Sequence, residues 1–136
     1  MSVYTFIASE KPLENVVNKK IKFSEDGKSL YVENEEDFDE LEINNKQSYN
    51  VVTHTKKPYI ADLSLRYTAE RAQQLIAYIS NHLKGTNELE IWSIWLDDEY
   101  KTPKILKCKL DDLTEAHIKD ILHSDPFIPN CLIVER

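Results

Sequence analysis

Apolar side chains recur at Ala72, Leu75, Ile76, Ile79 and Leu83, three and four residues apart, which is the stripe of an amphipathic α-helix. Thr68 stands where an N-cap is wanted and Glu70 suits the positive end of the helix dipole. Lys84 followed by Gly85 predicts a basic last turn and a left-handed stop. The pattern then changes period. ELEIWSIWLD reads as a strand, and in KILKCKL the residues Leu106, Cys108 and Leu110 alternate with Lys107 and Lys109, predicting a half-buried strand. Asp112 with Glu115 three residues on predicts a capping box for a helix carrying Leu113, Ile118, Ile121 and Leu122. Asp125-Pro126 and Ile128-Pro129 should close it, and CLIVER should be a final buried strand.

With YIADLSL as a strand ahead of the first helix, the order from about Tyr59 to Arg136 is β-α-β-β-α-β. This predicts an α+β fold with a ferredoxin-like unit, both helices on one face of a four-stranded antiparallel sheet. The first half predicts a β-rich extension: Val3–Ala8 and Tyr49–His54 as strands, Ser29–Glu33 as a weaker one. SYNVVTHTKKPYIADL suggests a hairpin turning at Thr55–Pro58, while Ser9–Gly27 carries no assignable pattern. There is no internal repeat and no Gly- or Ser-rich linker, so the 136 residues are expected to form one domain.

One strand departs from simple alternation. Leu89, Ile91 and Trp95 fall on one face of the Leu89–Leu96 segment, and Trp92, Ile94 and Leu96 on the other. A sheet with helices on one face only would leave polar residues on its open face. Either the N-terminal segment, Val3–Ala8 included, covers or extends this sheet, or Trp92 belongs to an exposed patch that binds a partner or a second copy.

Charge narrows the functional classes. ENEEDFDELE, from Glu33 to Glu42, holds seven carboxylates and no basic residue. Set aside those seven of the 24 acidic residues and the remaining 17 balance the 17 basic ones, so the net charge of −7 belongs to one segment. Such a segment repels nucleic acid, and no basic patch offsets it. Without a central Gly, and with Phe38 where a turn is wanted, it does not fit a calcium loop. It reads either as a solvated loop or short helix anchored by Phe38 and Leu41, or as a docking surface for a basic protein through Glu35, Glu36, Asp37, Phe38 and Asp39. No run approaches the roughly 20 apolar residues of a membrane span. MSVYTFIASEKPL lacks the basic region of a secretory signal, so a cytoplasmic protein is expected.

Candidate chemistry is sparse. His54, His82, His117 and His123 form no metal-ligand spacing, so a site would have to be assembled across the sheet from His54, His82, His117, Asp97 and Asp98. Asp97, Asp98 and Glu99 fall in a predicted hairpin loop, where crowding could raise a carboxyl pKa and where acidic residues also simply face water. His82 and His123 suit the negative ends of helix dipoles. Cys108 and Cys131 lie in β-rich runs and read as small buried hydrophobes. With two glycines in all, the common phosphate-cradling motifs are excluded, and no cofactor is implied.

The opening VYTFIASEKPLE resembles the start of small uncharacterised proteins of Gram-positive bacteria that begin with a similar YTFIA-type strand. The resemblance implies a bacterial, cytoplasmic origin and brings no activity or functional residue. Taken together, these features point to a non-enzymatic interaction or regulatory module, immunity- or antitoxin-like in its most specific form. The alternatives are a small enzyme or ligand-binding domain using the histidine and carboxylate set, and a homodimer formed through the Trp92 face.

Overall fold

In the computed structural model, which describes residues 3–51, 54–95, 102–123 and 128–136, strand β1 (Val3–Ser9) is apolar on both faces. Phe6, Ile7 and Ala8 are all fully buried. A strand of that kind is stable only inside a sheet covered on both sides. It accordingly takes a central place in a six-stranded mixed sheet. The strands are β4 (Glu42–Asn44), β5 (Tyr59–Ser64), β6 (Glu88–Trp95), β7 (Lys104–Lys109) and β8 (Asn130–Glu135), and the order is β4-β5-β1-β6-β8-β7. All neighbours are antiparallel except β7 and β8. A separate two-stranded hairpin joins β2 (Lys22–Phe23) to β3 (Leu30–Tyr31).

This order corrects the ferredoxin-like expectation. β1 separates β5 from β6, and β8 separates β6 from β7, so β6 and β7 are not a hairpin pair. β1 is a centre strand rather than part of an extension because its two apolar faces demand it. The α+β class stands, and the helices α1 (Ala69–His82) and α2 (Glu115–Leu122) share one face. There Ala72, Leu75 and Ile79 of α1 and Ile118 and Ile121 of α2 meet Ile7, Leu89, Ile91 and Val134.

The opposite face carries Tyr4, Phe6, Ala8, Trp92, Ile94 and Cys131 and is closed by Val51. Phe6 stacks on Trp92, ring centroids 5.9 Å apart, and His54 meets the same indole edge-on, also at 5.9 Å. Tyr49 packs edge-on to Tyr4 at 5.0 Å. β1 therefore lies within the sheet, while Tyr49, Val51, His54 and Thr55 cover its second face. Trp92, at 3% exposure, is interior and forms no open patch.

Local expectations fared unevenly. Thr68 caps α1, its side chain accepting from the Arg71 N–H at 3.1 Å. Gly85 is not left-handed, since Gly27 alone among the described residues has a positive φ. Helix α1 ends instead through i→i+3 bonds, Lys84 N–H to Asn81 O and Gly85 N–H to His82 O, which need no such residue. The box expected at Asp112 and Glu115 lies two residues on. Thr114 is the N-cap of α2 and its N–H donates to His117 Nδ1 at 3.1 Å, while Asp112 sits in a preceding 3-10 turn. The outer partner of β5 is β4 and not Tyr49–His54; the described part of that segment is turn and coil, with His54 N–H and Thr55 N–H both donating to Val51 O. The weaker strand expected at Ser29–Glu33 is β3, shortened to Leu30–Tyr31. The expected loop carboxylates Asp97, Asp98 and Glu99, the strand end Leu96 and the turn Asp125-Pro126 lie outside the described residues.

If β1 is a core strand, Phe6→Ala removes an interior ring and lowers stability by about 3–5 kcal/mol. Ile105→Ala on the sheet edge changes it by no more than about 0.5 kcal/mol. Urea unfolding of the two variants checks this, and equal midpoints would contradict the strand order.

Candidate functional site

The acidic segment is tied down by cations from elsewhere in the chain. Arg71, in the first turn of α1 and buried, donates from Nη1 to Arg66 O at 3.2 Å and from Nη2 to Glu36 O at 2.9 Å and Glu40 Oε1 at 3.2 Å. Lys20 Nζ reaches Glu40 at 2.9 Å and Asp37 at 3.6 Å. The Lys20 hydrogen bond, then that of Arg71, holds the Glu40 carboxyl below the usual carboxylate range. Lys22 pairs with Glu33 at 2.6 Å and Arg66 with Asp39 at 3.9 Å. Backbone bonds complete the seat: Asn18 Nδ2 donates to Asp37 O at 2.5 Å and Arg66 N–H to Asp39 O at 2.9 Å. Leu41 and Ile43 then carry the chain into the core.

This geometry divides the expected docking residues. Asp37 and Asp39 face the chain's own cations. Glu35 and Glu36 are exposed on a 3-10 turn, Glu35–Asp39, and Phe38 beside them is 47% exposed, so Leu41 alone is the anchor. Composition did not bring out the neighbouring apolar residues, Val17 at 72%, Phe23 at 71%, Leu30 at 55% and Tyr31 at 46% exposure. Three of them belong to the β2–β3 hairpin, whose turn is closed by Gly27 N–H to Ser24 O at 2.9 Å with Gly27 at φ 70°. The Asp26-Gly27 dipeptide was the available signal for that hairpin.

The histidines do not converge. His82 Nε2 lies 2.6 Å from Ser9 Oγ, which also accepts the Lys11 N–H at 3.1 Å. Which of the two supplies the proton of this bond is set by the imidazole tautomer. Burial pushes the His82 pKa down against the opposing pull of Glu14. This is a serine–histidine pair by composition, yet Ser9 is fully buried and offers a substrate no approach. His54 sits on the other face of the sheet above Trp92, and His117 is spent on the α2 cap. The three line separate hollows of about 210, 270 and 300 Å³ for His82, His54 and His117 respectively. Burial raises the pKa of both thiols, Cys108 and Cys131, away from the thiolate a nucleophile needs.

Polar groups on the second face fasten the covering segment. Glu90 Oε1 accepts from Thr55 Oγ1 at 2.5 Å and from Trp92 Nε1 at 2.8 Å. Lys57 bridges Glu88 at 2.5 Å and Glu10 at 3.3 Å. Asp62 accepts from the Tyr4 hydroxyl, from Ser48 Oγ at 2.5 Å and from Ser48 N–H at 3.1 Å. Burial, reinforced by that carboxylate, raises the Tyr4 pKa.

Among the described residues no group of three or more His, Cys, Asp or Glu side chains is placed to hold a metal ion, and no helix is long and apolar enough to cross a membrane. No protein-family model, curated protein or solved structure matches the chain.

Removing Arg71 by substitution with Ala strands the Glu36 carbonyl and weakens the seat of Glu40, at a cost of about 2–4 kcal/mol. Lys22→Ala, at an exposed pair, should leave the urea midpoint unchanged. His82 gives a pH signature. Its folded pKa lies below the ordinary 6.5, so the unfolded chain takes the proton first as pH falls, and stability is lost below that value. Between about pH 7.5 and pH 5.5 the urea midpoint of the wild type should fall more steeply than that of His82→Gln.

Proposed function

We propose that this chain is a non-enzymatic protein-interaction module, immunity- or antitoxin-like, which docks a basic partner protein on the surface carried by residues 17–38. The observation that carries this reading is the concentration of exposed apolar side chains in the same short stretch of chain as the exposed carboxylates Glu35 and Glu36. Of the eleven large apolar residues that stand exposed among the described residues, Val17, Phe23, Leu30, Tyr31 and Phe38 fall in this short stretch. Aromatic anchors ringed by charge are the usual composition of a recognition surface, the charge steering encounter and the rings supplying affinity. Glu35 and Glu36 are the carboxylates presented, while Asp37, Asp39 and Glu40 hold the turn in shape through Lys20, Arg66 and Arg71. The same charge disfavours nucleic acid as the partner. A bacterial, cytoplasmic protein is part of the same proposal.

The test is quantitative affinity capture with three versions of the chain. Wild type should retain a basic protein in stoichiometric amount, and Glu35→Lys/Glu36→Lys/Phe38→Ala should lose it. A charge-matched control, Glu70→Lys/Asp111→Lys, should keep it. Retention by the triple variant, or equal loss from both variants, would overturn the assignment.

A further inference from the structure

β7 is an edge strand, and among the described residues no strand pairs with its outer side. The sequence predicted a half-buried strand; instead both Ile105 and Leu106 are about half exposed, at 50% and 52%. Register with β8 sets their faces. Leu106 lies opposite Leu132 on the helix side, and Ile105 opposite Cys131 on the other. Each face of this edge carries a hollow. On the helix side, about 300 Å³ is walled by Lys104, Leu106, His117, Asp120, Ile121 and Ile128. On the second face, about 270 Å³ lies beside Ile105, Pro103, Lys56 and Ile133.

An open strand edge flanked by hollows on both faces is the geometry of β-strand addition, in which backbone bonds give affinity and alternate side chains give specificity. Charge selects the occupant. Lys56, Lys104 and Lys107 make no ion pair among the described residues, whereas Lys109 is paired with Glu135 at 3.2 Å and Lys57 with Glu88 and Glu10. Two copies of β7 meeting edge to edge would bring lysines together, which is how edge strands resist self-pairing. On the helix side Asp120 disfavours a carboxylate, and Leu106, Ile121 and Ile128 suit an apolar side chain. On the second face Lys107 and Lys56 suit a carboxylate, since Glu90 there is already held by Thr55 and Trp92.

We infer that the outer edge of β7, Lys104–Lys109, binds an extended partner segment in which apolar and acidic residues alternate, added as a further strand of the sheet. The inference is independent of the 17–38 surface and concerns a different partner chemistry.

The probe is the acetylated, fluorescein-labelled peptide Val-Glu-Val-Glu-Val-Glu-Val-Glu, titrated by anisotropy against the full chain. Binding should be saturable and should slow hydrogen exchange of amides within Lys104–Lys109. Lys104→Glu/Lys107→Glu should weaken it by about tenfold or more, as should methylation of alternate peptide nitrogens, which removes the backbone donors and leaves the protein untouched. No binding by wild type, equal binding of the Val-Lys counterpart or of the methylated peptide, protection elsewhere in the chain, or a peptide-free dimer protected at β7 would each overturn the proposal.

Discussion

The structure is organised by a strand that no solvent-facing position can accept. β1 buries Phe6, Ile7 and Ala8 in succession, so successive side chains on opposite faces both require an apolar neighbour. Two helices satisfy one side. On the other side no helix lies among the described residues, and irregular chain at Val51 serves there. Irregular chain laid over a sheet leaves backbone and side-chain polar groups near apolar surface, and those groups have to be bonded. Glu90, Asp62 and Lys57 meet that need. Several side chains with the chemistry of an active site are thereby committed to architecture.

The same logic governs the acidic segment. Seven carboxylates within ten residues of an untethered loop would repel one another; Arg71, Lys20 and Arg66 pair with three of them, Glu40, Asp37 and Asp39, and fix the turn. Glu33 pairs with Lys22 at the surface, and on the 3-10 turn itself two glutamates and a phenylalanine stay exposed. That turn owes its shape to a buried arginine, Arg71.

Legibility in the sequence followed locality. Helix α1 was readable because its stripe and its Thr68 cap lie within one stretch, and β8 because CLIV is continuously apolar. The need for cover on both faces of β6 was also readable, from Trp92 and Ile94 opposing Leu89 and Ile91. Strand order was not. Nothing within VYTFIA states that its partners are β5 and β6, since pairing of distant segments leaves no local mark. Position on an edge was equally hidden: ILKCKL alternates like a half-buried strand, and only the neighbour it lacks distinguishes it. The histidines were read as loose candidates because their partners, Ser9 for His82 and Thr114 for His117, emerge from tertiary or capping geometry.

The placement of β1 has a consequence for how the chain is made. On the ribosome this strand emerges before either neighbour, and its register with β6, where Ser9 meets Leu89, waits for most of the remaining chain. Loops of that length close slowly. Until β5 emerges a short segment, aromatic and β-branched and free of charge, has two unsatisfied edges, and one stays open until β6 follows, which is the signature of segments that pair with copies of themselves. The polar SEKP that follows, charged and carrying a proline, is the kind of flank that limits such pairing. Yield of folded protein should therefore depend on translation rate and chaperone supply more than the stability of the finished sheet would suggest.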